Sequence, residues 1–534
     1  MDFTRCSTFV AGLAVAALAI TPALAQGTLR VAMTLADIPL TDGAPDQGTE
    51  GERFSGFTIY DPLISYDLSS ADKAANLRPA LATEWHPLEE DRTKWIFKLR
   101  QGVKFHDGSD FNADSVIFNL ERAFNKNYPA YDASFERQLK IYLPSIKSWR
   151  KVDDYTVELT TKEPDSLFAY QMPRLLIASQ AQYEKLGKKW DAFRQKPSGT
   201  GPWRMEALVP RQRMELVPNK DYWDKDRVPK LDRLVLLPIP EVSTRTAALL
   251  SGRVDWIESP SPDTVAKLKA AGMIISINAL PHVWPYTLSE LPDSPFADIR
   301  VRKAINYAID REGLVNVLNG LAVPAVGNVT PDSPWFGTPS FKVKYDPDEA
   351  RRLLTEAGYG PNNPLKLKAA ISTSGSGQMY PLIMNEFIQE NLRDVGVKLE
   401  LEVFEWEALR GRRRAGAQTE ENKGITILNN SYSTNDPYVA VLRYLTPEEI
   451  PPKGSNWGSI RDDEIERLAK ELRSEFDPVK QDELVAKIHT RHVDMANFIW
   501  VVHDVGSRAL SPKVKGHVHA KSWFVDFSPI SMQP

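Results

Sequence analysis

Apolar and polar positions alternate over Trp95 to Arg100, where Trp95, Phe97 and Leu99 share one face of an extended segment and Ile96, Lys98 and Arg100 the other. Asp107-Gly108 then marks a turn. Asn112 is placed to cap a helix, with Phe111 and Val116 as its hydrophobic staple. Helical spacing dominates further on. Asp346-Pro347-Asp348-Glu349 opens a helix whose Ala350, Leu353, Leu354 and Ala357 form one stripe, stopped by Gly358. Val301, Ala304, Ile305, Ala308 and Ile309 give a second stripe after Asp298, and Met379 to Val395 a third helix ended by Gly396. Ile465, Leu468, Ala469 and Leu472 mark a fourth helix, and Leu484, Ile488 and Met495 a fifth. Val397, Leu399, Leu401 and Val403 alternate as a strand, and the apolar run Phe498 to Val502 suits a buried one. Strands and helices interleave, which predicts an α/β fold with helix-covered sheets. Ser372 to Gly377 (STSGSG) reads as a loop.

Residues 1–25 have the pattern of a removable export signal. Arg5 precedes the apolar run Phe9 to Ile20, and Ala23-Leu24-Ala25 fits small-x-small cleavage before Gln26. That run is too short to span a bilayer core, which takes about 20 residues. The single cysteine, Cys6, lies ahead of the run rather than at the cleavage point, so a soluble, non-lipidated periplasmic product is expected. Without Cys6 the mature chain has no thiol for a disulfide, a thiolate metal site or a cysteine nucleophile. The 534-residue length suggests two or three domains. A net charge of −4, from 66 basic and 70 acidic residues, leaves no footprint for nucleic acid. The 39 prolines exceed the usual ~5% and point to many fixed loops, while 42% hydrophobic content argues for a packed body.

The histidines are the first candidates for chemistry. His489 and His492 are three apart on an expected helix, and His517 and His519 alternate on an expected strand. Either pair offers imidazoles for a metal, but neither has a third ligand nearby in sequence, and two solvated pairs are the expectation. His106 is expected to be structural. No nucleophile elbow, HExxH, P-loop or dinucleotide glycine loop occurs. No catalytic residue and no cofactor are therefore assigned.

Taken as a string, LRQGVKFHDGSDFNADSV (Leu99 to Val116) closely resembles the signature of family 5 of the solute-binding proteins of ABC importers, the peptide, opine and nickel class. Five later elements resemble the same family, in its order: Ser198 to Trp203, Asn219 to Trp223, Gly252 to Asp255, Pro295 to Glu312 and Tyr345 to Tyr359. The resemblance implies a two-lobed, hinged binding protein of mixed sheets with a small extra domain. Lobe I would comprise 26–75, 194–283 and 501–534, the extra subdomain 76–193, and lobe II 284–500. The chain would cross between lobes near Pro281 to Tyr286 and return near Val501 to Asp504. The expected partners are a peptide-like or other small ligand and an inner-membrane ABC permease, with the protein itself a monomer. A nickel or metal-chelate binder of the same fold is the alternative, and a secreted hydrolase a more distant one.

The resemblance also implies a site. Peptide-binding relatives carry Glu-Trp followed seven residues after the Trp by a ligand-facing arginine, and Glu405-Trp406 with Arg413 has that spacing. The remaining arginines, Arg410, Arg412 and Arg414, read as a solvated basic loop. The relatives' W-x-x-D-x-x-x-P element, whose Asp pairs with a ligand ammonium, corresponds to Asn430, Ser433 and Pro437. A hydroxyl thus stands where a charge is usual, which puts recognition of a free peptide N-terminus in question. Asp436, beside Pro437, reads as a turn former. The expected substrate-binding set is Trp406, Arg413, Asn430, Tyr432, Ser433, Asn435 and Trp457.

Overall fold

A computed structural model describes residues 27–533; the expected signal peptide and its cleavage point lie outside them. Two large sheets organise the chain. The first has the strand order 274–276, 508–510, 256–258, 28–33, 233–238, 213–218, 203–209. Thr28–Met33 lies at its centre, parallel to both neighbours. The second sheet runs Ala322–Pro324, Phe498–Asp504, His282–Leu288, Ile427–Asn429, Lys366–Ser372, Lys398–Phe404, with Tyr432–Ser433 paired to the start of His282–Leu288. Each sheet has its own apolar core, so the molecule has two lobes.

A third sheet of four antiparallel strands spans 82–161. Trp95, Phe97 and Leu99 point into its core against Val116 and Leu120 of the helix Ala113–Phe124. Asn112 caps that helix by accepting from the Ser115 N–H at 3.3 Å. The other patterned segments fold as their spacing requires. The helices Ile299–Ala308, Pro347–Glu356, Pro381–Asp394, Asp463–Ser474 and Pro478–Asp494 all bury their apolar stripes. Phe498–Asp504 is buried along its whole length.

The chain passes between the large sheets twice, through residues 277–281 and 505–507. The first crossing meets the expected segment at Pro281, and the second directly follows the expected one. The strands His282–Leu288 and Phe498–Asp504 pair with each other inside the second sheet and belong to it whole. The apolar runs marked the strands, while the hinges are the short irregular pieces that flank them.

Candidate functional site

The cleft between the lobes is organised by one helix. Glu405 caps it, its carboxylate accepting from the N–H groups of Glu407 at 2.8 Å and Ala408 at 3.3 Å, and the helix runs Trp406–Ala415. The basic run expected as a solvated loop is therefore helical, and the helical period sorts its members. Trp406, Leu409, Arg410 and Arg413 fall on the buried face. Arg412 and Arg414 lie on the other side, with the Arg412 guanidinium 4.1 Å from the Phe404 ring centroid.

This face closes one wall of a cavity between the lobes. Asn430, Ser431, Tyr432 and Ser433 line a second wall, and Ser376 contributes from the STSGSG loop. The first lobe supplies Gly48 and Thr49, and Arg174 and Tyr142 reach in from the segment that carries the extra sheet. Arg443 and Tyr444 complete the enclosure just after the wide π-type turn Tyr438–Leu442, an irregularity common at functional sites. No carboxylate lines the cavity among the described residues.

Four guanidiniums thus face one space, and they differ in how they are compensated. Arg174 pairs with Glu52 behind the wall. Arg410 pairs with Glu407 at 2.7 Å, one turn earlier on its helix. The Arg443 Nε donates to the Ser455 hydroxyl at 3.2 Å, and its plane lies 4.8 Å from the Tyr142 centroid. Arg413 is only 8% exposed and has neither a hydrogen bond nor an ion pair among the described residues. Burial draws its pKa down to about 10, with like-charged Arg443 and Arg410 adding to the effect, so it remains a cation at neutral pH. Burying an unpaired charge is costly, and an anion in the cavity removes that cost.

The expected site residues divide into two groups. Trp406, Arg413, Asn430, Tyr432 and Ser433 all line the cavity. Asn435 sits behind it, its side-chain carbonyl accepting from the Ser433 hydroxyl. Trp457 is a correction: it is fully enclosed in an apolar cluster with Trp406, Leu409 and Leu428 and has no place on the cavity wall. Asp436 is more than a turn former. It is buried, accepts from the Val439 N–H at 3.0 Å and lies 3.5 Å from the Tyr66 hydroxyl of the first lobe. Burial pushes its carboxyl up to about 6, against the pull of the Val439 N–H, Arg174 and Arg443.

Sequence reasoning missed Tyr142, Arg174, Arg410, Arg443 and Tyr444. Arg443 carried a usable signal, since it interrupts the apolar run Val439 to Leu445. Arg410 was legible from its i, i+3 relation to Arg413. Arg174 and Tyr142 arrive from a distant segment and had none.

The histidines are corrected too. His489 and His492 are completely buried rather than solvated. His489 Nε2 accepts from the Asn328 N–H at 2.9 Å while its Nδ1 donates to the Phe336 carbonyl at 2.8 Å, so one imidazole joins two loops to the core. His519 is buried against Ser276, and His517 is half-buried. No group of three or more His, Cys, Asp or Glu placed to hold a metal occurs among the described residues.

Comparison with known proteins agrees with this architecture. The chain is 29% identical over 493 residues to the Heme-binding protein A of Haemophilus influenzae, covering 89% of this chain and 87% of that one. It is 28% identical over 488 residues to the Glutathione-binding protein GsiB of Escherichia coli, covering 85% and 91%. The ABC transporter-associated periplasmic binding protein DppA of Helicobacter pylori, solved with the peptide STSA, superimposes with a TM-score of 0.80 at 24% identity over 95% of this chain and 98% of that one. Residues 76–451 match the model of the bacterial extracellular solute-binding proteins, family 5, and the chain belongs to that family.

Proposed function

We propose that this protein is the periplasmic substrate-binding component of an ABC importer and captures a carboxylate-bearing peptide or peptide-like solute. The observation that carries the reading is the buried guanidinium of Arg413, without a partner among the described residues, in a cavity that none of their carboxylates lines. Arg413 holds the ligand carboxylate bidentately. Trp406 offers a broad apolar face, and Asn430 and Ser433 supply neutral hydrogen bonds. Ligand bound between the lobes favours the closed state through contacts made to both, and that state docks on the permease. Micromolar affinity, about 8 kcal/mol, suffices for capture and release. The protein acts by binding alone and has no turnover. Residues 1–25 serve as its export signal, and the mature chain begins at Gln26.

Native mass spectrometry of protein recovered gently from a periplasmic extract tests this. A small adduct bearing a carboxylate is expected, chemically unchanged after incubation, lost from Arg413→Ala. Adducts without an acidic group, or conversion of the adduct to a product, would refute the reading.

A further inference from the structure

Two like charges flank one aromatic ring at the seam between the lobes. The Arg174 guanidinium is 4.7 Å from the Tyr142 centroid and that of Arg443 is 4.8 Å from the same centroid. Arg174 and Tyr142 belong to the first lobe's side of the cleft and Arg443 to the second. Arg443 acts on Arg174 as a like charge: burial first, then Arg443, lowers Arg174 to about 10. Only Arg174 has an ion-pair partner, Glu52, among the described residues. Asp436 lies near both but beyond ion-pair distance, with its oxygens turned to the Val439 N–H and the Tyr66 hydroxyl. Arg443 therefore has a hydroxyl, two aromatic faces and the more distant Glu449 carboxyl, but no ion pair among the described residues. Closing the lobes drives Arg443 towards Arg174, which opposes closure in an empty cleft.

We infer that the cleft takes a dianionic solute with no free ammonium, one anion on Arg413 and the second bridging Arg443 and Arg174 across the lobes. The inference rests on the reading of this cavity as the ligand site and adds a second subsite to it. The second anion converts a repulsive seam into an attractive one, so it discriminates ligands and favours closure at once. The first anion is held largely by the second lobe, where Arg413 and Trp406 share a helix. A monoanion therefore binds without relieving the like-charge effect of Arg443 on Arg174. The chemical class is an amino-acid conjugate or blocked peptide with two carboxylates, its nitrogen acylated or otherwise uncharged. Among the described residues no lining carboxylate exists to neutralise an ammonium.

Three probes test it: N-acetyl-Ala-Glu with two carboxylates, N-acetyl-Ala-Gln with one, and Ala-Glu with a free ammonium. Calorimetry and small-angle scattering are run on the wild type, Arg443→Gln, Arg443→Lys and Arg413→Gln. The wild type is expected to bind N-acetyl-Ala-Glu at least about tenfold tighter than either other probe, the scale of one charge-assisted bond. Only that probe should reduce the radius of gyration fully. Arg443→Gln should level the two acetylated probes, whereas Arg413→Gln weakens both. Arg443→Lys, which keeps the charge, should keep part of the preference. Equal binding of the acetylated probes by the wild type, an undiminished preference in Arg443→Gln, or its complete loss in Arg443→Lys would overturn the second subsite. In that case weaker binding by Arg413→Gln leaves the single-carboxylate reading standing. Failure of every probe to bind the wild type sinks both.

Discussion

The backbone N–H of Glu50 donates to the Ser376 hydroxyl at 3.0 Å, joining two residues 326 positions apart that belong to opposite lobes. A glycine stands on each side of this contact. A Cβ at Gly48 would lie 3.3 Å from Ser376, and one at Gly375 only 2.4 Å from the ring of Trp406, where the backbone is also at φ +129°. The STSGSG loop is thus the latch of the closed cleft. Its small residues let the first lobe approach the tryptophan of the second.

Removing the latch should act on closure rather than on folding. Ser376→Ala is expected to weaken ligand binding by roughly 2–10-fold, the worth of about 0.5–1.5 kcal/mol for one net hydrogen bond. The loss should fall on the off-rate, with the denaturation midpoint almost unchanged. Gly48→Val, which adds both bulk and strain at φ +76°, should hold the cleft ajar and enlarge the radius of gyration of the liganded protein. Surface plasmon resonance and small-angle scattering read these effects. Faster unfolding with unaltered off-rates would place Ser376 in the scaffold instead.

Trp457 should behave as a core residue. It is fully buried beside Trp406, Leu409 and Leu428. Trp457→Ala is therefore expected to cost about 3–5 kcal/mol of stability. Trp457→Phe should keep most of the stability and bind ligand like wild type. Urea unfolding alongside calorimetry separates the two roles, and a binding defect in a well-folded Trp457→Phe would return the residue to the site.

The fold was legible because it rests on local, repeated signals. Asn112, Asp298, Asp346 and Gly396 are caps and stops whose chemistry operates within a few residues, and the stripes they bound are all buried. Half of the site was legible for a different reason. Arg413 and Ser433 sit in segments with recognisable spacing, while Arg174 and Tyr142 acquire meaning only where the fold brings them to Arg443. The same limit applies to the histidines. The burial of His489 depends on Asn328 and Phe336, more than 150 positions away, and nothing local in the sequence reports it.

Asp436 gives the protein a pH dependence of defined sign. Burial raises its carboxyl from 3.8 to about 6, partly opposed by the Val439 N–H and by Arg174 and Arg443. A group raised in the folded state favours folding below its unfolded pKa, and that contribution is lost as pH rises through about 6. A shift of about two units corresponds to about 3 kcal/mol. Asp436→Asn should therefore melt higher than wild type at pH 7.5, with the gain gone at pH 4.5. In the same window an anionic ligand should bind the wild type more tightly as pH falls from 7.5 to 5.5, with proton uptake seen by calorimetry in buffers of different ionisation heat. An Asp436→Asn protein that keeps the full pH dependence would assign it to another group.

On the proposed function, Arg413 and Ser433 together decide what kind of ligand this cleft accepts. Arg413 is a buried cation without a partner among the described residues, and Ser433 donates to the Asn435 side chain and towards the Pro281 carbonyl at 3.4 Å. A carboxylate should contribute much to binding here and a positive amine little. For the ligand recovered from the periplasm, esterifying the carboxylate that meets Arg413 should cost more affinity than acylating any amine. Arg413→Ala should weaken binding by roughly 1.5–3 kcal/mol, the worth of a hydrogen bond to a charged group. Ser433→Asp places a carboxylate against the cavity that faces four guanidiniums. It should weaken binding of a dianion and improve binding of ordinary di- and tripeptides with a free N-terminus. Titration calorimetry on both variants reads these changes directly. Wild-type affinity in Arg413→Ala would move that arginine out of the site, since no other contact among the described residues would then explain an uncompensated charge held under the cleft wall.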